Sequence, residues 1–292
     1  MNRRPFIQSI LTTMATLPLT RFQRLTEHFQ QDDHLMPVIF IGHGSPMNGI
    51  EINDFSTSWA ALGKTIPQPK AVLCVSAHWL TKGTAVTAME TPRTIHDFGG
   101  FPKALFDVQY PVPGDPELAR ETIQTIRKTS VAEDHDWGLD HGTWTVVRHM
   151  YPDADIPVLQ LSIDYHQPPE WHYQLGQELA ALRRKGVLII GSGNMVHNLG
   201  MVAWDKLNEP AFGFDWALEM DTIFKDRISS ADHQALIHYR DLNKAATLAI
   251  PTPDHYYPLL YTLGATMSAE KPRFFNDRAV GGSLTMTSVQ FG

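Results

Sequence analysis

Several features that define common protein classes are missing from this sequence. It contains a single cysteine, Cys74, so no disulfide can form within the chain and no cysteine cluster can hold a structural zinc ion. Cys74 lies in an apolar run and is most simply a small core residue. The chain has no lysine and arginine block of the kind that follows phosphates, and its net charge of −7 argues against a nucleic-acid surface.

Three motif classes are missing as well. Beyond the first 35 residues, no apolar run approaches the roughly 18 residues that a membrane-spanning helix needs. Residues 191–193 lack the third glycine of a dinucleotide-binding loop, and residues 43–45 lack the Gly-x-Ser-x-Gly elbow of serine hydrolases. We therefore expect no membrane partner, no nucleic-acid partner and no dinucleotide cofactor.

The first 35 residues differ from the rest of the chain. Asn2-Arg3-Arg4-Pro5-Phe6-Ile7, followed by the apolar residues 11–19, resembles a twin-arginine export signal. Threonines and a proline interrupt the apolar part and no clear cleavage site follows, so an attached leader helix is the alternative. We expect residues 1–35 to be a leader or signal segment on a cytoplasmic protein, with a periplasmic location as the alternative.

Strand-like and helix-like patterns alternate over residues 36–292, with no linker that would divide them. Short apolar runs predict strands at 38–41, 71–77, 84–89, 157–162, 187–190 and 283–291. Helical periodicity and capping residues predict helices at 52–62, 115–128, 145–150, 168–185, 212–228, 231–242 and 251–267. Residues 91–113 and 136–144 are predicted loops. The alternation predicts an α/β fold in one domain, with a central, mostly parallel mixed sheet flanked by helices.

Histidines recur where the predicted strands end. His43 follows the first run, His78 the second, and His197 lies in the glycine-rich segment after the run at 187–190. Because parallel strands place their carboxyl ends side by side, we expect these histidines to meet at one edge of the sheet. One such histidine is most simply a hydrogen-bonded loop residue, whereas three favour a shared metal or acid–base site.

Two further histidines, His141 and His255, also lie among glycine, proline, aspartate and aromatic residues. Neutral imidazole binds Fe(II) and Zn(II) well, and a histidine beside a metal can move protons near neutral pH. The residues alone leave a metal site, an acid–base site and a structural role open for each of them.

Five short motifs carry these histidines, and in combination they resemble the type III extradiol ring-cleaving dioxygenases, most of all the 4,5-DOPA extradiol branch. The motifs are Gly42-His43-Gly44-Ser45-Pro46, Ser76-Ala77-His78-Trp79, Leu139-Asp140-His141-Gly142-Thr143-Trp144, Gly191-Ser192-Gly193-Asn194-Met195-Val196-His197-Asn198 and Pro253-Asp254-His255-Tyr256-Tyr257-Pro258. The resemblance runs in order from about residue 36 to the end, and the N-terminal leader lies outside it.

The resemblance implies a role for each histidine. His43 and His78 match the two histidines that bind the catalytic metal, and His255 matches the third ligand, which is a glutamate in many relatives. His197 matches a histidine near the metal that is either a further ligand or the catalytic acid–base. His141 matches a catalytic histidine that orients oxygen or the substrate hydroxyl.

The resemblance also implies a cofactor and a reaction. Fe(II) is expected for activity, and the all-histidine ligand set makes Zn(II) possible as the bound metal. The expected reaction opens the ring of a DOPA-like catechol next to the diol, using both atoms of O2, and gives a hydroxymuconic semialdehyde. The candidate substrate-binding residues are His96, Phe98, Trp144 and Tyr256. The expected partners are this small molecule and O2, and the protein is expected to be a monomer or homodimer.

Two other functions remain compatible with the sequence. A zinc-dependent hydrolase could use the same histidines to activate water. A relative that has lost activity could keep the scaffold as a binding module. For the loop at 91–113, a surface loop with packed aromatic residues is the alternative to a substrate-binding loop.

Overall fold

A computed structural model describes residues 35–292, so the predicted leader lies outside the described residues except for Leu35. The strands are β1 (Val38–Gly42), β2 (Ala71–Thr81), β3 (Thr84–Thr87), β4 (Val131–Asp134), β5 (Val158–Asp164), β6 (Val187–Gly193), β7 (Pro272–Phe275), β8 (Ala279–Val280), β9 (Leu284–Thr285) and β10 (Ser288–Phe291). Eight of them form one sheet in the order β4-β3-β5-β2-β6-β1-β10-β7, and β8 pairs with β9 separately.

The middle of the sheet is parallel. β5, β2, β6 and β1 run in the same direction, whereas β3 and β10 join them antiparallel on the two sides. β6 lies between β1 and β2, although it follows both in the chain. In open α/β sheets, ligands bind in the crevice beyond the carboxyl ends of strands that are arranged in this way. The predicted mixed, mostly parallel sheet is confirmed.

The helices cover both faces of the sheet. They are α1 (Asp54–Thr65), α2 (Lys103–Phe106), α3 (Pro116–Thr125), α4 (His141–Met150), α5 (Pro169–Arg183), α6 (Asp215–Ser229), α7 (His233–Ile237), α8 (Ala246–Ala249) and α9 (Tyr257–Gly264). Short 3₁₀ turns lie at Pro46–Gly49, Leu199–Met201, Trp204–Lys206 and Tyr239–Asp241. In the described part of the chain, no helix has the length and apolar content that crossing a membrane would take.

Two hydrophobic cores form because side chains alternate across the central strands. On β1, Val38 and Phe40 pack toward α5, α6 and α9, while Ile39 and Ile41 pack toward α1 and α4. All four side chains are fully buried. Burial on both faces explains why the central strands read as continuous apolar runs in the sequence.

β2 differs from its prediction where it matters for the site. The strand runs to Thr81, so His78 lies inside it and not after its exit. Its pairing with β5 shifts between Val75 and Leu80, so the intervening residues have no regular partner on β5. Such an irregularity turns side chains away from the ordinary alternation. His78 lies within this irregular stretch.

Other element boundaries also differ from the sequence predictions. The loop predicted over residues 136–144 ends early, because Asp140 caps α4 and the helix begins at His141. β4 and β7 were not predicted, and their partly exposed residues lack the apolar run of a central strand. The single strand predicted over residues 283–291 is wrong, since β9 and β10 belong to different sheets.

Candidate metal centre

His43 follows β1, and its imidazole is held by the neighbouring strand β6. Its Nδ1 lies 3.0 Å from Ser192 Oγ, and that hydroxyl donates its one proton to the carbonyl of Gly142 at 2.5 Å. The hydroxyl can therefore only accept from His43, so Nδ1 carries the ring proton and Nε2 is left with a free lone pair. Burial lowers the pKa of His43 well below its ordinary value, and the surrounding histidines lower it further.

His78 and His141 share one carboxylate. Asp97 Oδ2 lies 2.9 Å from His141 Nδ1 and 3.4 Å from His78 Nδ1. An ionised carboxylate only accepts, so the hydrogen bond from His141 places the proton of that ring on Nδ1. His78 Nδ1 faces the same oxygen at the longer distance of an ion-pair contact, and His78 Nε2 is directed into the site. Burial is also the main cause that lowers the pKa of His78, followed by the charges of the neighbouring histidines.

His255 lies just before α9 and is oriented by the residue that precedes it. Its Nδ1 is 2.5 Å from Asp254 Oδ2. Burial alone would raise the pKa of Asp254, but the hydrogen bond and charge of His255 outweigh it and the pKa is lowered. The backbone of His255 packs so closely on Gly193 that a Cβ there would overlap its carbonyl oxygen. Glycine at this position thus lets the His255 segment approach the end of β6.

His197 is held differently from the other four histidines. Its backbone N–H donates to Ala249 O at 2.8 Å, and its ring stacks on His255 at 3.5 Å with an interplanar angle of 6°. Among residues 35–292, no hydrogen-bond partner contacts either ring nitrogen of His197. Burial, followed by the charge of His255, lowers its pKa to about 2, so the ring is neutral at pH 7.

Three of the five imidazoles have the spacing of ligands to one ion. The ring centroids are 5.0 Å apart for His43 and His78, 5.3 Å apart for His43 and His255, and 5.0 Å apart for His78 and His255. Imidazoles bound at about 2.1 Å from one ion place their centroids roughly 4.5 Å apart at a right angle and roughly 5.2 Å apart at the tetrahedral angle. The observed spacing therefore fits a three-histidine site.

The other two histidines approach these rings too closely to be regular ligands beside them. The centroids of His78 and His141 are 3.9 Å apart, and the parallel rings of His197 and His255 cannot aim their nitrogens at one point. The possible ligand atoms nevertheless form two tight groups, each within 4.8 Å: His43 with His78 and His141, and His197 with Asp254 and His255.

The donor chemistry fits a divalent cation. His43 Nε2 and His78 Nε2 face each other at 3.0 Å, and the contact with Ser192 places the proton of the His43 ring on Nδ1. Without an ion, His78 Nε2–H can donate to the lone pair of His43 Nε2; with the His78 proton on Nδ1, both lone pairs converge where a cation would bind. Neutral imidazole nitrogens suit iron and zinc, and the Nδ1 atoms of His43 and His255 are each paired with an oxygen, as in metal-bound histidines.

Phe98, Phe101, Phe106 and His96 form a group of ring side chains beside His141, here called the aromatic wall. Phe98 meets the His141 ring edge-on at 5.6 Å, and Phe101 and Phe106 pack against Phe98. His96 lies next to Phe98, and its Nε2 is 3.0 Å from Val108 O. Phe98 and His96 are partly exposed, so the structure brings these two predicted substrate residues to the edge of the histidine cluster.

The other two predicted substrate residues lie in the interior. Trp144 is fully buried in α4, where its indole N–H donates to Ile95 O at 2.8 Å. Tyr256 is also fully buried, and its hydroxyl donates to Leu236 O at 2.8 Å while its ring packs on Phe224 and Tyr239. These contacts are those of core residues, and a substrate-binding role for either residue is untested.

Sequence reasoning missed the oxygens that orient the histidines. Ser192 and Asp254 lie within two of the quoted motifs without an assigned role, and Asp97 lies in the predicted loop at 91–113. Asp254 could have been found, because an acidic residue beside a candidate ligand is a common partner of its second nitrogen. Asp97 is 44 residues from His141 and Ser192 is 149 residues from His43, so no local pattern identifies them as partners.

Comparisons with known proteins point to one family. Residues 34–291 match the family described as the catalytic LigB subunit of aromatic ring-opening dioxygenase. The chain is 48% identical to the 4,5-DOPA dioxygenase extradiol of Escherichia coli K12, over 88% of this chain and 95% of that protein. It is 35% identical to the protein of the same name from Beta vulgaris, over 89% and 98% of the two chains.

A solved structure shares the fold. The crystal structure of an uncharacterized protein from Escherichia coli K12 superposes with a TM-score of 0.76 and 42% sequence identity. The superposition covers 88% of this chain and all of that chain.

Proposed function

The chain belongs to the family of the catalytic LigB subunit of aromatic ring-opening dioxygenases, and from that premise we propose that it opens the ring of a catechol with O2. The names of the relatives from Escherichia coli and Beta vulgaris favour a DOPA-like catechol. The proposed reaction uses both atoms of O2 and yields a hydroxymuconic semialdehyde. The observation that carries the proposal is the spacing of His43, His78 and His255, which suits three ligands on one ion.

In this proposal, His43, His78 and His255 hold the metal through Nε2. Ser192 and Asp254 orient His43 and His255 by accepting the Nδ1 proton of each ring, and Asp97 faces the Nδ1 of His78 at 3.4 Å. When bound, Fe(II) would acidify the catechol hydroxyls and provide a route for electrons between the ring and O2. Zinc fits the same three nitrogens but has no accessible redox change, so we propose iron as the active metal.

We assign proton transfer to His197. Imidazole is the side chain that most often moves protons near neutral pH. His197 has no oxygen partner among the described residues, which leaves its nitrogens available to the substrate. Its parallel stacking on His255 disfavours the alternative of a fourth metal ligand.

His141 and the aromatic wall would orient the substrate. Asp97 holds the Nδ1 proton of His141, so Nε2 can accept a hydrogen bond from a substrate hydroxyl. Phe98 and His96 offer apolar faces and edges to a flat ring.

The proposal is tested by loading the protein with Fe(II) without oxygen, adding L-DOPA or caffeate and then admitting air. We expect oxygen uptake and a yellow product, and no uptake from protein loaded with Zn(II). Absence of uptake across a broad panel of catechols, together with zinc-dependent hydrolysis of an ester or amide, would support the hydrolase instead. The family assignment gives that alternative no support.

A further inference from the structure

Asp97 lies on a segment that is hydrogen-bonded to Leu139 at residues 94–95 and is uncrowded at Gly99 and Gly100. Thr94 pairs with Leu139, and Ile95 N donates to Leu139 O at 2.7 Å. Gly99 and Gly100 follow, with no heavy atom within 4 Å of the position that a Cβ would take. The side chain of Asp97 is only 17% exposed, so it points inward from an otherwise exposed stretch.

The carboxylate of Asp97 makes three contacts with two histidines. Oδ1 accepts the backbone N–H of His141 at 2.9 Å, which is the first residue of α4. Oδ2 lies 2.9 Å from the Nδ1 of the same residue and 3.4 Å from the Nδ1 of His78. Burial alone would raise the pKa of Asp97, but the hydrogen bonds and charge of His141 lower it, so the group is an anion.

We propose that Asp97 is a positioning residue that aims His78 at the metal and holds His141 beside the metal but outside its coordination sphere. The role of His141 in this inference rests on the proposed function. The ligand geometry does not depend on the reaction.

The shared oxygen explains the close approach of the two rings. Both Nδ1 atoms can reach one carboxylate oxygen only if the imidazoles lie side by side, and their centroids are 3.9 Å apart with a 46° tilt. This spacing is shorter than that of two regular ligands on one ion. His78 has the ligand spacing to His43 and His255, which leaves His141 in the outer position.

The neighbouring acid cannot replace Asp97. Asp140 is fully buried, and its two oxygens accept from Ser76 Oγ at 2.7 Å and from Gln160 Nε2 at 2.6 Å. Within residues 35–292, Asp97 is the one carboxylate in contact with both rings. Its removal should leave His141 free to rotate toward the ion.

The test compares Asp97→Ala and Asp97→Asn with a control, Asp107→Asn, in the full chain. Asp107 lies in the same region but forms only an exposed ion pair with Lys103. Circular dichroism and thermal unfolding of the metal-free proteins report the fold. Anaerobic titration with Co(II), followed by visible absorption, reports the number and geometry of the ligands without any turnover. Oxygen uptake by the Fe(II) proteins gives kcat and KM for L-DOPA, with and without added acetate.

We expect Asp97→Ala to keep the fold and bind one Co(II), but with a changed visible spectrum because His141 can join the ion. Its kcat should fall about 10- to 100-fold, as is typical when the oxygen partner of a metal-site histidine is lost, with KM nearly unchanged. Acetate should restore part of kcat, and Asp107→Asn should match the wild type in every measurement.

Two results would overturn the role of Asp97. One is a wild-type Co(II) spectrum in Asp97→Ala, whatever its kcat. The other is loss of the fold in both Asp97 variants, which would make the carboxylate structural. A wild type that consumes no oxygen with any catechol contradicts the proposed function instead, and the Co(II) spectra still decide the role of Asp97.

Discussion

The two ends of β1 both bury polar groups, but they use them in opposite ways. At the amino end, Arg183 is fully buried and donates to Met36 O and Ala265 O, both at 2.7 Å, and to the carboxylate of Glu270. At the carboxyl end, the Nδ1 of His43 is paired, yet its Nε2 faces the Nε2 of His78 at 3.0 Å. The first cluster satisfies its own hydrogen bonds, whereas the second directs imidazole nitrogens at one another, where a cation would bind. Convergent imidazole nitrogens therefore mark the candidate metal-binding end of this sheet.

The largest expected effect comes from removing a metal ligand at the carboxyl end of the sheet. His78→Ala should abolish stoichiometric metal binding and lower oxygen uptake by more than about 10³-fold, since proton and electron chemistry both need the metal. The fold should persist, because the ring is 20% exposed and makes no core contact of the Arg183 kind. Metal analysis and circular dichroism check this, with the exposed His135→Ala as control. Full metal retention in His78→Ala would refute the ligand assignment.

His197→Ala tests whether every histidine at the carboxyl end is a ligand. We expect one metal to remain bound and kcat to fall by about 10² to 10⁴, the usual contribution of an acid–base group. Metal stoichiometry and steady-state oxygen uptake are the measurements. Loss of the metal would instead make His197 a ligand.

Arg183→Met removes the buried ion pair at the amino end of β1 and leaves the carboxyl end unchanged. Removing one partner of a buried ion pair costs about 3–5 kcal/mol, so the free energy of unfolding should fall by that amount. The kcat of the folded protein should stay at the wild-type value, because Arg183 lies at the opposite end of β1 from His43. Urea unfolding and activity at low temperature measure the two quantities. Arg227→Met, which removes an exposed pair with Asp232, should cost under about 1 kcal/mol. A lower kcat in folded Arg183→Met would show that the two ends are not independent.

Ser192→Ala sharpens the comparison by removing the oxygen that fixes His43. Without the acceptor for Nδ1–H, the affinity for metal should fall about 10- to 100-fold. Ser162→Ala is the matched control, since Ser162 is a buried strand serine that pairs with Thr81 and no histidine. Competition with a chelator measures the metal affinity of the two variants. Equal affinities would mean that Ser192 does not orient the ligand.

A further comparison concerns pH and the buried histidines at the carboxyl end. Burial lowers the pKa of His43, His78 and His197 in the folded, metal-free protein. The histidines of the unfolded chain therefore take up protons as the pH falls below about 6.5, while those of the folded protein stay neutral. The free energy of unfolding then falls by about 1.4 kcal/mol per pH unit for each histidine that stays neutral in the folded protein. Urea unfolding of the apoprotein between pH 7 and 5 should show this loss. Arg183→Met should shift the curve without changing its slope, and His43→Leu should reduce the slope. A flat profile would contradict burial of neutral histidines.

The sequence predicts the parts of the site that depend on local pattern. The run before Gly42 predicts a central strand, so the place of His43 follows from strand, glycine and topology together. The irregular pairing of β2 with β5 around His78 is set by the sheet, and no local pattern encodes it. Asp97 and Ser192 become partners of histidines only when segments distant in the chain pack together. These contacts are properties of the fold, so the sequence alone does not predict them.

The most direct test is anomalous diffraction at the iron edge from crystals grown with Fe(II) under anaerobic conditions. A single peak about 2.0–2.2 Å from the Nε2 atoms of His43, His78 and His255, with His141 outside bonding distance, is the predicted result. A peak bound by His43, His78 and His141 without His255, or the absence of any peak at these residues, would contradict it.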